Sequence, residues 1–212
     1  MKPTTGRLTA GAICCMLAAL QGPALGQTVI DEWASVQAPA APAVKQVTVD
    51  PKTTALLLLD FNKQTCNAER RPRCVASIPN VKKLLEGARA KGVAVIYSLS
   101  PGAAKADIAA DLAPAAGDAI VTSGPDKFLG TDLEKLLKER NVQTVIVTGT
   151  AAHGAVLATA SGAALRGMKV IVPADGSSAE SLYPEQYTLW HLMNAPRIGA
   201  QTTISRTDLI LY

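Results

Sequence analysis

The feature that most constrains this chain is a set of short apolar runs, each followed by a stretch with helical spacing. The run from Thr54 to Leu59 carries four consecutive leucines and is closed by Asp60. A strand with one wet face alternates polar and apolar residues, so an unbroken apolar run calls for a strand covered on both faces. Val93–Ser98, Thr144–Thr148 and Met168–Val172 repeat the pattern, Asp118–Thr122 is a weaker version, and Thr202–Ser205 is the sixth candidate. Between the runs, Val81, Leu84, Leu85 and Ala88 lie at helical spacing within Val81–Ala90, with Gly92 as a stop signal. Thr131 and Glu134 have the spacing of a capping box and predict a helix running to Arg140. Val156–Arg166 reads as a helix of small residues, and Tyr187–Asn194 as the last helix. Pro101–Pro114 reads as a loop with one short helix. Strand and helix in alternation predict a parallel sheet with helices on both faces, an α/β sandwich of three layers.

Outside that pattern lies the N-terminal segment. Lys2 and Arg7 precede an uncharged apolar stretch, Leu8–Leu20, and Ala24-Leu25-Gly26 places small residues before Gln27. This is the layout of a secretory signal peptide over residues 1–26. The stretch falls short of the roughly 20 residues that span a bilayer, so cleavage is expected rather than anchoring, with no membrane partner afterwards. The expected location is periplasmic or secreted. Residues 27–50, rich in Ala and Pro, read as a linker or surface arm, and 51–212 as one folded domain. An arm of this kind is suited to a neighbouring subunit, and a homo-oligomer is expected. Without Lys2 and Arg7 the chain keeps 19 basic and 17 acidic residues, a near balance with no basic stripe, which argues against nucleic acid. Cys66 and Cys74 then remain, eight positions apart in a polar segment; an oxidising compartment makes them most simply a disulfide. The alternative is a free reactive thiol at Cys66.

In open parallel sheets, sites form beyond the carboxyl ends of the strands. Asp60 ends the first strand after four leucines, where burial favours its protonated form unless a cation lies close. The bland alternative is a turn cap. The segment from Gly149 to Gly154, containing Thr150, Ala151 and His153, lies between the fourth strand and its helix, where backbone N–H groups suit an anionic ligand. Its spacing is neither that of a dinucleotide fingerprint nor that of a phosphate loop, and close helix–sheet packing would also explain its small residues. No cofactor is implied, and with His153 and His191 the only histidines no His-based metal site is expected. Tyr187, Trp190 and His191 on the last helix suit a pocket, a subunit contact or simply core.

Four stretches together resemble the isochorismatase-like (cysteine) hydrolases over roughly Thr53–Thr207. They are Leu56–Phe61, Phe128–Leu133, Thr144–Ala151, and Ala155–Ala160 leading into Gly167–Val172. The resemblance implies a six-stranded parallel sheet of order 3-2-1-4-5-6 with the site between strands one and four. It also implies an Asp, Lys and Cys triad and a non-proline cis peptide, here Thr150–Ala151. Asp60 matches the family aspartate. The position of the nucleophilic cysteine is Ala155, and the family lysine falls at about Thr122, so the nearest lysine is Lys127, directly before Phe128. Lys127 either enters the site from this displaced position or is solvated. His153 is either a ligand contact or a structural imidazole.

An alanine forms no thioester, which leaves chemistry that needs no covalent nucleophile. Some members of the family hydrolyse isochorismate, a vinyl ether, without the cysteine; protonating the enol-ether carbon yields an oxocarbenium ion that water attacks. The expectation is therefore a small-molecule hydrolase with Asp60 as general acid/base, helped by Lys127 or His153. Against it stands a pseudoenzyme that keeps the pocket and has lost the chemistry. A thiol hydrolase with its nucleophile moved to Cys66 ranks last.

Overall fold

The computed structural model describes residues 28–212, so the expected signal peptide lies outside the described residues. Residues 28–39 belong to a small N-terminal unit, whose described part carries one 3-10 turn at Trp33–Ser35; residues 40–212 form a second compact unit.

The second unit is built on six parallel strands: β1 (Thr54–Leu59), β2 (Ala94–Leu99), β3 (Ala119–Thr122), β4 (Thr144–Thr150), β5 (Lys169–Pro173) and β6 (Thr202–Ser205). Their spatial order is β3-β2-β1-β4-β5-β6, and the two-residue strand Ser177–Ser178 pairs with the end of β4. The winding direction therefore reverses between β1 and β4, at the place expected for a site. Helix α1 (Pro72–Ala90) covers one face. Helices α2 (Leu133–Glu139), α3 (Leu157–Leu165) and α4 (Leu182–Asn194) cover the other.

Alternation along β1 assigns Ala55, Leu57 and Leu59 to the core under α2–α4, and Leu56 and Leu58 to the core under α1. All four leucines are at most 2% exposed, each contributing roughly 1.5–3 kcal/mol of apolar burial. Lys45 N–H donates to Ile204 O, and Val47–Thr48 pairs in parallel with Ile210–Leu211, so the chain entering the domain runs along its C-terminal end.

Three helix expectations are corrected. Helix α1 begins at Pro72, well before Val81, and passes through Pro79. The buried Cys74, Ser77 and Val81 extend its core face across the proline, which outweighs one lost backbone hydrogen bond. Helix α4 likewise begins at Leu182. At α2 no capping box forms: Thr131 Oγ1 accepts from Leu133 N–H and donates to Lys127 O, while Glu134 turns to Lys138 and Arg166. The loop between Pro101 and Pro114 holds two 3-10 turns, Lys105–Asp107 and Ala110–Leu112. Among the described residues, no helix is long and apolar enough to cross a membrane.

Candidate active site

Strand register determines what surrounds Asp60. Leu59, the last residue of β1, pairs with Ser98 of β2 on one side and Gly149 of β4 on the other. Asp60 N–H continues the ladder to Ser98 O at 3.2 Å. The next step breaks it, because Asp60 has φ 56°, in the left-handed region that Asp tolerates better than most residues. Thr65 Oγ1 donates to Asp60 O and holds that turn. The chain thus leaves the sheet while the carboxylate stays at the strand mouth, 6% exposed.

Lys127 is drawn to the same point. Its side chain is fully buried, with Nζ 2.8 Å from Asp60 Oδ2 and 3.1 Å from Ser123 O. Its backbone is held separately: N–H donates to Thr159 Oγ1 on α3, and its carbonyl accepts from Thr131. The following Phe128 packs in the core, with Arg166 lying 4.2 Å over its ring. Lys127 therefore brings its ammonium to Asp60 from the loop after β3. Ser98 completes the cluster: its hydroxyl, 1% exposed, donates to Asp60 Oδ1 at 2.7 Å. Both carboxylate oxygens accept a hydrogen bond, one from a cation and one from a hydroxyl.

The β4 side of Asp60 is shaped by backbone. Gly149 has φ 138°, and a Cβ there would stand 2.2 Å from Leu59 O, so only glycine lets β4 run this close to β1. Thr150 is buried and donates to Ser178 O, and the Thr150–Ala151 peptide is cis. A π-helical turn over Ala152–Val156 then feeds α3, with Ala155 4% exposed inside it. Ser177 and Ser178, beside this turn, are buried with hydroxyls that meet no partner. Among the described residues no group of three or more His, Cys, Asp or Glu is placed to hold a metal.

His153 stands apart. It is exposed, and no hydrogen bond joins it to Asp60 or Lys127. Burial works to raise the pKa of Glu180, but its own backbone N–H, Arg71 and His153 bring it below the usual carboxylate range. Arg71 bridges Glu180 and Thr65 O, which links this surface cluster back to the Asp60 turn. The Cys66–Cys74 disulfide, with Cα atoms 5.4 Å apart, ties the same loop to the first turn of α1. On the other side of the loop, buried Asn62 donates to Gln64 and Ser100, and Gln64 donates to Asp107. Hydrogen bonds from Ala104 N–H, Lys63 and Gln64 hold Asp107 well below the usual carboxylate range. Tyr187 and His191 face each other on α4, Trp190 is about half exposed, and none of the three is hydrogen-bonded to Asp60 or Lys127.

Sequence reasoning passed over Ser98, Thr65 and Thr159. The signal for Ser98 was its place at the carboxyl end of the strand next to β1, a small polar residue closing an apolar run.

The family model described as the isochorismatase domain matches residues 54–205. A curated N-carbamoylsarcosine amidase from Arthrobacter sp is 32% identical over 124 residues, 45% of this chain. The match spans about half the length of that relative, 47%. Among solved structures, an isochorismatase family protein from Desulfovibrio vulgaris subsp. vulgaris str. Hildenborough superposes with TM-score 0.67 at 23% identity, covering 74% of this chain and 95% of that one. A cysteine hydrolase from Pseudomonas syringae pv. phaseolicola 1448A does so with TM-score 0.67 at 22% identity, covering 80% and 95%. These structural likenesses carry the fold.

Proposed function

The chain belongs to the isochorismatase family, and on that premise we propose that it hydrolyses a small molecule by direct attack of water, using Asp60 and Lys127 without a covalent cysteine intermediate. The observation that carries this reading is the buried contact of 2.8 Å between Lys127 Nζ and Asp60 Oδ2 at the carboxyl end of β1. Taking both charges out of water carries a penalty of several kcal/mol per ion, so such a pair is a weak device for stability. Placed at the switch point of the sheet, it is a strong candidate for chemistry.

The hydrogen bonds divide the roles. Asp60 accepts at both oxygens and is disposed as the base; Lys127 is the group with a proton to give. Asp60 takes a proton from water as the water oxygen bonds to the electrophilic carbon. The bond to the leaving group breaks, the leaving group takes a proton from Lys127, and the proton on Asp60 returns to Lys127. This arrangement shifts the acid role expected for Asp60 onto the lysine, and it suits carboxylic derivatives better than a vinyl ether. The N-carbamoylsarcosine amidase likeness points toward the same substrate class. Export to an oxidising compartment belongs to this reading, supported by the leader pattern of residues 1–26 and by the Cys66–Cys74 pairing.

The test is a panel of amides, esters and vinyl ethers. Asp60→Asn and Lys127→Met should each lower kcat by about 10²–10⁴-fold on any substrate found. No turnover across the panel by the wild-type protein would sink the proposal. One observation favours a second reading, a binding protein without turnover: Ala155 at the position of the family thiol. That reading expects a ligand held equally well by wild type and Asp60→Asn.

A further inference from the structure

Ser98 holds Asp60 at two points. Its carbonyl accepts the Asp60 N–H at 3.2 Å, and its hydroxyl donates to Asp60 Oδ1 at 2.7 Å. The first bond belongs to the sheet ladder and would form with any residue at position 98. The second depends on the hydroxyl, in a strand whose neighbouring core residues Ile96, Tyr97 and Leu99 are apolar or aromatic.

A carboxylate with one partner turns freely about its terminal torsion, which is broad and roughly two-fold. Lys127 pins Oδ2 from the loop after β3, and Ser98 pins Oδ1 from β2. Two donors from different elements define the carboxylate plane. Each oxygen keeps a second lone pair, and the direction of that lone pair decides where a proton is taken up. We propose that Ser98 is a positioning residue: its hydroxyl, with the Lys127 ammonium on the other oxygen, fixes the plane of the Asp60 carboxylate and so the direction of its free lone pairs. The role rests on the hydrolase reading only for its kinetic consequence. The geometry stands without it.

The test compares Ser98→Ala, which removes the donor with little change in volume, with Ser98→Thr, which keeps the hydroxyl on a β-branched side chain suited to a strand. Crystal structures of both variants need no substrate. The carboxylate should rotate away from its wild-type plane in Ser98→Ala and keep it in Ser98→Thr. With a substrate from the panel, Ser98→Ala should lower kcat by roughly 10–100-fold at unchanged KM. Ser98→Thr should restore both the carboxylate plane and kcat. Lys127 is the charged side chain bonded to Asp60 and is unchanged in both variants. An unmoved carboxylate in Ser98→Ala, or a moved one with unchanged kcat, overturns the positioning role. If the wild-type protein turns over nothing, the hydrolase reading falls, and the carboxylate plane alone decides for or against Ser98.

Discussion

Lys127 and Asp60 meet 2.8 Å apart although 67 positions separate them in the chain, with the lysine side chain fully buried. Each is the other's compensation for lost water. Removing one partner leaves a buried charge alone, which typically costs about 3–5 kcal/mol. Lys127→Met should destabilise the fold by that order in urea denaturation, and Asp60→Asn in the Lys127→Met background should recover part of the loss. Equal stability of Lys127→Met and wild type would mean the pair is far better hydrated than its burial indicates.

A backbone contact, not a side chain, limits the opposite wall. A Cβ at Gly149 would fall 2.2 Å from Leu59 O, at a φ of 138°. Gly149→Ala should therefore destabilise the protein by more than about 2 kcal/mol, at the severe end for single substitutions. Gly92 is the control: its φ is 74° and nothing lies within 4 Å of an added Cβ. Gly92→Ala should cost only the left-handed penalty of about 1–2 kcal/mol. Thermal or urea unfolding of the two variants side by side separates steric conflict from conformational preference.

What could be read in the sequence divides along physical lines. The strands were legible because burial on both faces writes an unbroken apolar run, as in Leu56–Leu59, and Asp60 stood out by ending one. The start of α1 at Pro72 is hidden because Pro79 interrupts the local helical signal while burial of Cys74, Ser77 and Val81 carries the helix through it. The start of α4 at Leu182 is hidden because its first turn opens on the exposed Leu182 and Tyr183 and lacks an apolar period. Ser98 is legible only as a small polar residue closing an apolar run; its contact with Asp60 is a relation between two strands, which register reveals. The reach of Lys127 depends on the path of the loop after β3, where no periodicity speaks. The assignment of the family thiol to position 155 rests on resemblance alone, for an alanine in a small-residue helix carries no signal of its own.

The Cys66–Cys74 disulfide closes a loop of eight-residue separation between the Asp60 turn and α1. Loop-closure entropy gives such a bond about 2–3 kcal/mol. Cys66→Ser with Cys74→Ser should lower unfolding stability by that order. In the native protein neither cysteine should react with a thiol reagent until a reductant is added. Two reactive thiols before reduction would revive Cys66 as a nucleophile.

Tyr97 gives the fold an alkaline limit. Burial is the main cause that pushes its phenol up to about 12, with Asp118 adding to it and Arg89 opposing. A folded pKa raised above the unfolded value of about 10 means stability fully present below pH 10 and lost as pH rises through about 12. Thermal midpoints should therefore fall between pH 10 and 12, and Tyr97→Phe should flatten part of that fall. An identical fall in the variant would assign it to other groups, Tyr212 first among them.

Ala155 offers the most direct trial of how much of the family site survives. It is 4% exposed in the turn that leads into α3. Ala155→Cys adds one sulfur there, an overpacking penalty of about 1–3 kcal/mol at most. A thiol at the start of a helix has more thiolate at neutral pH than a free cysteine. The substituted protein should be alkylated by iodoacetamide at position 155 near pH 7, as read by peptide mass spectrometry. If the introduced thiol stays inert while the protein remains folded, the pocket that serves the family cysteine is not open here. The Asp60–Lys127 pair would then be a buried structural pair rather than catalytic machinery.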